Sequence, residues 1–494
     1  MELQTVSVIP GRTKNSIILH VGDGFYYLVK EVRRRRVRLM CRHRRLGCKG
    51  NASLVFNHAN KLVLRALQPH SCINDPRLPE DRETWRKLIQ EAKNSLTGAS
   101  IRKLLRDFKL RLDPDMASRF TVSRMHSKLY EARSSKYPKI PSTLVYLGVL
   151  LGLPGMRSVC LTQDKMDFMF QGVVGNQASK TVSVIFASGR MLMFLQTLKN
   201  LHVDGTFKKR PRKPHCCQLY NVVTKFGDGV VAVMRIIMRS RSENAYLELF
   251  GFIKQLAPNL QPTRIHCDFE RATINALRKT FPLSDIVGCL WHFGVCVGRN
   301  AVKKNLSRLA SENDLIHSFI RCICGAPLLP ATLIEKGVEE IWTEVVTSGW
   351  GETLQPLFSY FKKEWVPRVH ELSVYSQPER TNNCSESDNR CMANFIPQNH
   401  PNIWTLIAGI VQLEHISWSD KLAIEKGNNV QCARRWKTAA NDKRMRRLTE
   451  LLNHDQISPG RFLHEASWIN QGALNHGMKL DTKMNSDSDD SDSE

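Results

Sequence analysis

At 494 residues the chain exceeds one ordinary domain, and its 42% content of hydrophobic residues is typical of a globular protein. Its 72 Lys and Arg outnumber its 46 Asp and Glu, and the resulting net charge of +26 favours polyanionic partners, with nucleic acid as the leading candidate. An acidic membrane surface also matches this charge, but no apolar run nears the roughly 20 residues of a spanning helix. The longest, residues 144–153, is expected in a core.

The first residues lack the basic and then apolar pattern of a signal peptide, so we expect the 14 cysteines to remain thiols or metal ligands. Short runs that alternate apolar and polar residues, such as 16–20 and 61–66, predict a small β-rich domain over residues 10–76. Residues 80–136 are predicted to be helical, because Trp85, Leu88 and Ala92 share one helix face. This region is either a DNA-binding helix-turn-helix or a linking helical hairpin.

Four residues of the β-rich domain have the spacing of a metal site. Cys41, Cys48, His70 and Cys72 form the pattern C-x6-C-x21-H-x-C, and four such ligands in two close pairs suit a closed tetrahedral zinc site. A metal would also stabilise a domain this small, whose own core is slight. The alternative is two buried thiols and an unrelated His-x-Cys pair.

Arginines are dense around these ligands, which suits phosphate contacts, although a solvated basic face is the alternative. They are Arg33 to Arg36, Arg38, Arg42, Arg44 and Arg45. The domain resembles the FLYWCH class of zinc fingers through residues 24–27, Cys41, residues 48–49 and His70. Cys72 stands where that family has its final histidine, and a thiolate is an equally good zinc ligand.

Strand and helix patterns alternate after a Pro- and Ser-containing boundary at residues 134–142, which indicates an α/β fold. Predicted strands cover residues 201–208, 218–226, 230–238, 263–268 and 285–290, and predicted helices cover 243–256, 270–280 and 383–395. Residues 300–380 and the chain from residue 401 onward are predicted to be mostly helical. The tail, residues 485–494, is acidic and of low complexity, and is expected to be disordered.

Acidic residues recur in three segments of this region: 201–206 with Asp204, 265–270 with Asp268, and 381–386 with Glu386. Two-metal phosphodiester cleavage needs carboxylates that converge on divalent ions about 4 Å apart, and Mg²⁺ prefers such oxygen ligands. If the first and fourth strands are neighbours, Asp204 and Asp268 meet. Each acid also has an ordinary interpretation: a turn at Asp204-Gly205, a helix cap at Asp268, or a capping box from Asn383 to Glu386.

Together, and in this order, the segments resemble the catalytic core of Mutator-like (MULE) transposases: D-G-T-F on the first strand, D-F-E-x-A after the fourth, and T-N-N-x-x-E on a closing helix. The resemblance runs from about residue 201 to residue 395. It implies an RNase-H-like mixed-sheet core over residues 190–300 and 381–400. In that core Asp204, Asp268 and Glu386 would hold two Mg²⁺ or Mn²⁺ ions for DNA strand cleavage and strand transfer.

The segment Cys289-Leu-Trp-His292 matches the C-x2-H signature of this transposase family. We favour a role for Cys289 and His292 in supporting the active site over half a zinc site, for which Cys322 and Cys324 are the only candidate partners. The resemblance also implies a helical insertion over residues 301–380. Three of its aromatic residues are candidates for stacking on DNA, with core packing as the alternative: Trp342, Trp350 and Trp365.

A helical C-terminal region is expected over residues 401–480. Basic runs at residues 208–213 and at 434–447, the latter with Arg434, Arg435, Lys437, Lys443, Arg444, Arg446 and Arg447, are candidates for DNA contacts or nuclear import, or are solvated helix faces. The resemblance therefore implies a nuclear transposase that binds double-stranded DNA, both terminal inverted repeats and target. It would act as a homo-oligomer, and no membrane partner is expected.

Two other functions compete with this one. A domesticated transposase would keep the fold and act as a zinc-finger transcriptional regulator. RNase H, or another structure-specific nuclease, would share the core but leaves the N-terminal finger and the insertion unexplained. An intact set of three acids favours the transposase over the regulator.

Overall fold

The computed structural model describes residues 6–10, 16–57, 61–94, 100–135, 137–377, 380, 383–430 and 436–484. The chain divides after Pro138 into two compact units, each with its own core. Among the described residues, no helix is long and apolar enough to cross a bilayer.

The first unit begins with an antiparallel sheet whose six strands lie in chain order. The strands are β1 (Ser7–Pro10), β2 (Ile17–His20), β3 (Tyr26–Arg33), β4 (Arg36–Cys41), β5 (Asn51–Phe56) and β6 (Leu62–Leu67). Alternate residues point to one face, where Tyr27, Leu39 and Leu54 are fully buried. The predicted β-rich region is therefore present, and its apolar face forms a small core of its own.

Four helices complete the first unit: α1 (Leu78–Asn94), α2 (Ile101–Lys109), α3 (Pro114–Ser118) and α4 (Val122–Ser134). Ser100 and Asp113 cap α2 and α3 by accepting backbone N–H bonds. The helices enclose a separate core around Leu88, Leu105 and Leu129. The helical pattern predicted over residues 80–136 thus resolves into four helices around a shared core.

A seven-stranded mixed sheet forms the centre of the second unit, in the order β13-β12-β9-β10-β11-β8-β7. Its strands are β7 (Phe170–Val174), β8 (Ser183–Phe186), β9 (Asn200–Thr206), β10 (Gln218–Phe226), β11 (Gly229–Met238), β12 (Arg264–Cys267) and β13 (Asp285–Gly288). The pairs β9–β12 and β12–β13 are parallel, and the other pairs are antiparallel. The sheet is the mixed α/β arrangement that the alternating pattern predicts.

Helices cover both faces of this sheet. The helices up to the last strand are α5 (Leu144–Gly152), α6 (Gly189–Leu195), α7 (Glu243–Leu256) and α8 (Arg271–Thr280). Val222 packs in the core that α7 and α8 share, whereas the next residue, Val223, packs against Cys384 of a later helix, α15 (Asn383–Phe395). Because successive strand residues face opposite sides, α15 covers the face opposite to α7 and α8.

The remaining helices enclose one further apolar core, which extends from Val287 to Leu474. They are α9 (Leu290–Lys303), α10 (Leu306–Glu312), α11 (Asp314–Gly325), α12 (Ala331–Thr347), α13 (Gly351–Glu364), α14 (Val369–Leu372), α17 (Trp436–Asn453), α18 (Pro459–Ala466) and α19 (Gln471–Met484). The long helix α16 (Ile403–Glu425) lies against β11 of the sheet instead. Gly298 of α9 lies so close to Gly477 of α19 that a Cβ would approach the Gly477 backbone to 3.1 Å. The C-terminal helices therefore pack tightly on α9 to α14.

Candidate active site and metal-ligand cluster

The four predicted zinc ligands converge in the first unit. Cys41 ends β4, Cys48 follows a short 3-10 turn, and His70 and Cys72 follow β6. Their ligand atoms all lie within 4.8 Å of one another. Three separations of 3.5 Å, Cys41 Sγ to Cys72 Sγ and His70 Nδ1 to the sulfurs of Cys48 and Cys72, are close to those around a tetrahedral metal. The cluster could therefore hold zinc, with Nδ1 as the imidazole ligand.

Aromatic residues of β3 and the preceding turn orient the His70 ring. The Tyr27 hydroxyl lies 2.8 Å from His70 Nε2 and donates to Asp23, while the Phe25 ring stacks on the imidazole at 3.9 Å. Gly50 leaves room for the ring, because a Cβ at that position would lie 2.5 Å from it. His70 is thus held with Nδ1 turned toward the three sulfurs.

The two buried cysteines of the cluster differ in the pKa of their thiols. Burial opposes ionisation of Cys48, but the backbone N–H groups of Gly50 and Ser71 and the neighbouring thiols lower the pKa of Cys48 to about 5. Burial raises the pKa of Cys41 to about 12. At neutral pH and without metal, Cys48 is therefore a thiolate beside a neutral thiol, and metal binding would release a proton from Cys41.

Much of the predicted basic surface around the cluster is exposed. Arg34, Arg35, Arg44 and Arg45 are exposed side chains. The other arginines of the group have local partners: Arg33 and Arg38 pair with Glu31, Arg36 donates to Ser53, and Arg42 lies 3.6 Å from Asp75. The exposed arginines occur at the β3–β4 turn and in the 3-10 turn before Cys48.

In the second unit, Asp204 lies on β9 and Asp268 directly follows the neighbouring strand β12. The parallel register pairs residue 202 of β9 with residue 266 of β12, and continuing it by two residues brings Asp204 level with Asp268. His202 and His266 precede the two aspartates by two residues each, so each histidine shares a sheet face with its aspartate. Both histidines are buried, and their rings stack at 4.3 Å. The first and fourth predicted strands are therefore neighbours, which is the condition under which the two acids were expected to meet.

The closeness of the two acids is visible in their electrostatics. Burial, followed by the negative charge of Asp268, raises the pKa of Asp204 to about 7. A bound cation relieves the repulsion between two carboxylates in a partly enclosed site. This arrangement suits divalent metal ions.

His292 supplies positive charge beside the second acid. Its Nδ1 lies 2.7 Å from Asp268 Oδ1. Burial lowers the pKa of His292, but pairing with Asp268 and with the buried Cys289 thiol outweighs burial and raises that pKa to about 11. The C-x2-H segment therefore contacts Asp268 through His292, and its supporting role stays a prediction. Cys322 and Cys324 have other neighbours, His464 and the Gly294 carbonyl.

The closing helix α15 contacts the acidic pair through Asn389, which the sequence interpretation missed. Asn389 Nδ2 donates to Asp204 Oδ2 at 3.0 Å. Glu386 is exposed and lies one helical turn earlier, so it shares the helix face of Asn389. Thr381 and Asn382, which begin the T-N-N motif, lie outside the described residues. The i, i+3 spacing from Glu386 is the signal by which Asn389 could have been found.

A buried ion pair anchors α15 to the sheet. Arg235 of β11 donates to both carboxylate oxygens of Asp388, at 2.7 and 2.9 Å, and also to Asn221 Oδ1 at 2.9 Å. Arg235 pairs with Asn221 and Asn221 with Asp204 in the strand register, so these polar residues form one row beneath α15. An arginine in the middle of an apolar strand was the overlooked signal for this contact.

The ordinary interpretations of the first two acids are wrong. Gly205 is not in a turn, because it lies within β9 opposite Tyr220. Asp268 does not cap α8, whose N-cap residue is Glu270. Glu270 instead accepts hydrogen bonds from Tyr246, Thr273 and Arg241, which tie the start of α8 to α7. The region of Asn383 includes residues outside the description, so the capping box stays a prediction.

The three tryptophans considered as stacking residues are largely internal. Trp365 is buried and contacts the rings of Phe269 and Phe293, the neighbours of Asp268 and His292. Trp342 stacks on Phe358 at 4.3 Å, and Trp350 packs on the same core. Core packing is therefore the observed role of Trp365 and the main role of the other two.

The two basic runs contain both exposed and buried side chains among the described residues. Lys209 is buried and donates to the carbonyls of Ile396 and Gln398, whereas Lys208, Arg212 and Lys213 are exposed. Arg434, Arg435 and the acidic tail lie outside the described residues, and of Lys437 only the backbone helix is described. Four further basic residues are exposed on α17: Lys443, Arg444, Arg446 and Arg447.

Comparison with known families identifies the segment that carries the acidic pair. Residues 200–294 match the family model of the MULE transposase domain. The match extends from β9 to the first turn of α9 and includes Asp204, Asp268, Cys289 and His292. No curated protein matches the chain. The match supports a transposase-family function, and a transposase domain implies DNA binding.

Proposed function

We propose that the protein is a DNA transposase that cleaves and joins DNA strands at transposon terminal repeats with divalent metal ions. The observation that carries the proposal is that Asp204 on β9 and Asp268, directly after β12, are brought together by two adjacent parallel strands inside the matched segment. The order of the strands, an antiparallel trio followed by two parallel strands joined through helices, supports an RNase-H-like core.

The residues around the acidic pair fit Mg²⁺ or Mn²⁺. Asp204 and Asp268 provide hard oxygen ligands, and Glu386 would provide a third from α15. When bound there, the ions would activate water or a 3′-hydroxyl as the nucleophile and stabilise the leaving oxygen. The chain itself orients the ligands: Asn389 holds Asp204, and His292 holds Asp268.

The first unit would recognise the transposon ends. We propose that Cys41, Cys48, His70 and Cys72 bind structural zinc in a FLYWCH-type finger, and that the exposed arginines near the cluster contact DNA phosphates. Joining two ends in one reaction requires a second copy of the chain, so we also propose a homo-oligomer. Such a reaction on chromosomal DNA would take place in the nucleus.

The experiment that tests this function is nicking of duplex DNA that carries the flanking terminal repeats, with Mg²⁺ or Mn²⁺. Wild-type protein should nick the DNA, and Asp268→Asn should lose nicking while it retains binding. Asp285→Asn is the matched control, because Asp285 lies on β13 of the same sheet and is 74% exposed. Zinc-dependent binding without nicking by any of the proteins would favour a domesticated regulator.

A further inference from the structure

An exposed tryptophan stands apart from the core aromatics of the helical region. Trp468 lies in the 3-10 turn Ser467–Asn470 between α18 and α19, and 54% of its surface is exposed. On one side, the Arg321 guanidinium carbon is 3.5 Å from the ring centroid, a stacked cation–π contact. The exposed area therefore leaves indole surface available to a planar ligand.

The arginine behind the ring is unusual in its burial. Arg321 of α11 is 5% exposed, and its Nη2 donates to Ser318 Oγ at 3.1 Å. Its Nε and Nη1 have no hydrogen-bond partner among the described residues. A buried cation with unmet donors is costly. The stack on Trp468 offsets part of that cost and holds the indole ring in one orientation.

The turn that carries Trp468 is tied to the candidate active site. Asn470 Nδ2 donates to the Leu290 carbonyl at 3.0 Å and to the Cys324 carbonyl at 2.9 Å. Leu290 begins α9, two residues before the His292 that contacts Asp268. Trp468 is therefore fixed to the same helix start that carries the active-site histidine.

A second exposed indole, that of Trp291, lies next to His292 at the start of α9. Trp291, the neighbour of His292, is 39% exposed and its ring contacts His476 of α19. A Cβ at Gly472, four residues after Trp468, would lie 3.4 Å from the Trp291 ring. Trp291 thus lies against α19, the helix that directly follows the turn of Trp468.

The surroundings of Trp468 favour an anionic ligand. Helix α17 packs in the same core as α18, the helix that precedes the turn of Trp468. Burial and, more weakly, the charge of Arg444 on α17 lower the pKa of Arg321. Arg444 is exposed together with Lys443, Arg446 and Arg447 on the same helix. A positive surface beside an aromatic platform is the combination by which proteins bind single-stranded nucleic acid.

We propose that Trp468 is a stacking site for an unpaired nucleobase of DNA, with Arg321 as its support and α17 as the phosphate-contacting surface. The proposal rests on the proposed function for the class of nucleic acid. It adds that the DNA strand near the acidic pair has at least one base out of the duplex. A base on the exposed indole face would continue the stack begun by Arg321.

The test is binding of a fluorescein-labelled single strand of about 12 nucleotides to the full chain, compared with the same sequence as a duplex, without added Mg²⁺ or Mn²⁺. Trp468→Leu, which keeps an apolar cover over Arg321, should weaken single-strand binding roughly tenfold and duplex binding less than about twofold. Trp468→Phe should retain most of the single-strand affinity. Tyr146→Ala, at an exposed aromatic residue of α5, should change neither.

A 2-aminopurine base in the single strand gives a direct readout, because stacking quenches its fluorescence. Quenching by wild-type protein that is lost in Trp468→Leu supports the proposal. Equal single-strand affinity and equal quenching in wild type and Trp468→Leu would overturn it, as would a change in oligomeric state with unchanged DNA affinity. Because these assays involve no cleavage, an inactive nicking reaction with intact quenching would count against the transposase function alone.

Discussion

The imidazole rings of His202 and His266 stack face to face at 4.3 Å, with 7° between their planes, in the interior beneath the two aspartates. This contact joins β9 and β12 at the last pair of their register, two residues before Asp204 and Asp268. The stack therefore lies across the two paired strands just before the acids. The register of β9 and β12 is thus what brings the two aspartates together.

Because the pKa of Asp204 is raised, replacing its carboxyl group by a neutral amide should stabilise the metal-free protein by an amount that depends on pH. The pKa of Asp204 is about 7 in the fold against 3.8 ordinarily, so its ionised form destabilises the metal-free protein. This cost is absent below about pH 3.8 and grows until about pH 7. We expect Asp204→Asn to stabilise the metal-free protein by on the order of 2 kcal/mol at about pH 8, with a much smaller gain near pH 4.5.

Urea unfolding at the two pH values measures this difference, and Asp285→Asn serves as the exposed control. A stability gain that is the same at both values, or absent at the higher one, would show that Asp204 ionises normally in the fold.

Loss of one cluster ligand should unfold the N-terminal sheet. Cys48→Ser removes the sulfur that is already a thiolate without metal, and binding free energies of about 10–16 kcal/mol contribute directly to folding in zinc modules. We expect bound zinc to fall from one ion per chain to none, with rapid hydrogen exchange in β2 to β6. Exchange in β9 to β12 should not change, because the second unit has its own core.

Metal analysis and hydrogen-exchange mass spectrometry measure both effects. Cys160→Ser is the matched control, since Cys160 is equally buried but lies in the second unit. If Cys48→Ser retains a full equivalent of zinc, the cluster is not the metal site.

The hydroxyl of Tyr27 should contribute to metal affinity without being a ligand. It lies 2.8 Å from His70 Nε2 and fixes the direction of the imidazole. Removal of such outer contacts weakens metal affinity by about 10–100-fold, which we expect for Tyr27→Phe. Competition with a chromophoric chelator measures the affinity. Tyr26→Phe is the control at the adjacent buried residue, and equal zinc affinities of the two variants would argue against a role for the Tyr27 hydroxyl.

The Arg235–Asp388 pair should be important for both stability and nicking. Asp388→Asn leaves a buried arginine without its counter-charge, and breaking such pairs costs about 3–5 kcal/mol. Because Asp388 anchors the helix of Glu386 and Asn389, nicking should also fall. Denaturant unfolding and the nicking assay measure the two effects.

A double variant, Arg235→Met with Asp388→Leu, should recover part of the stability, since it leaves no unpaired buried charge. Asp285→Asn should have almost no effect, because its partner Arg264 is 3.6 Å away at an exposed site. Additive losses in the double variant would contradict the ion-pair explanation.

The sequence predicted those features that depend on local patterns. The bounds of β10, α7 and α15 agree with the predicted elements, since alternation and helical periodicity are strong there. Ligand spacing identified the cluster at residues 41–72, and strand order brought Asp204 to Asp268. Each of these depends on residues that are close in sequence or on a simple topological rule.

Features that depend on distant pairing were not predictable in this way. The contact between Asn389 and Asp204 joins residues 185 positions apart, and that between Arg235 and Asp388 joins residues 153 apart. Their side chains carry no local signal of a partner. Likewise, Trp365 and Trp468 are equivalent in a sequence, and only packing distinguishes the buried ring from the exposed one.

Binding of Mn²⁺ reports on the acidic pair without requiring cleavage, and it is the measurement that decides whether Asp204 and Asp268 hold a metal ion. Electron paramagnetic resonance of free Mn²⁺, titrated with protein bound to terminal-repeat DNA, measures the affinity of wild type, Asp268→Asn and Asp285→Asn. We expect wild type and Asp285→Asn to bind Mn²⁺ alike and Asp268→Asn to bind it at least about tenfold more weakly. Equal Mn²⁺ affinity in wild type and Asp268→Asn would contradict a metal site at Asp204 and Asp268.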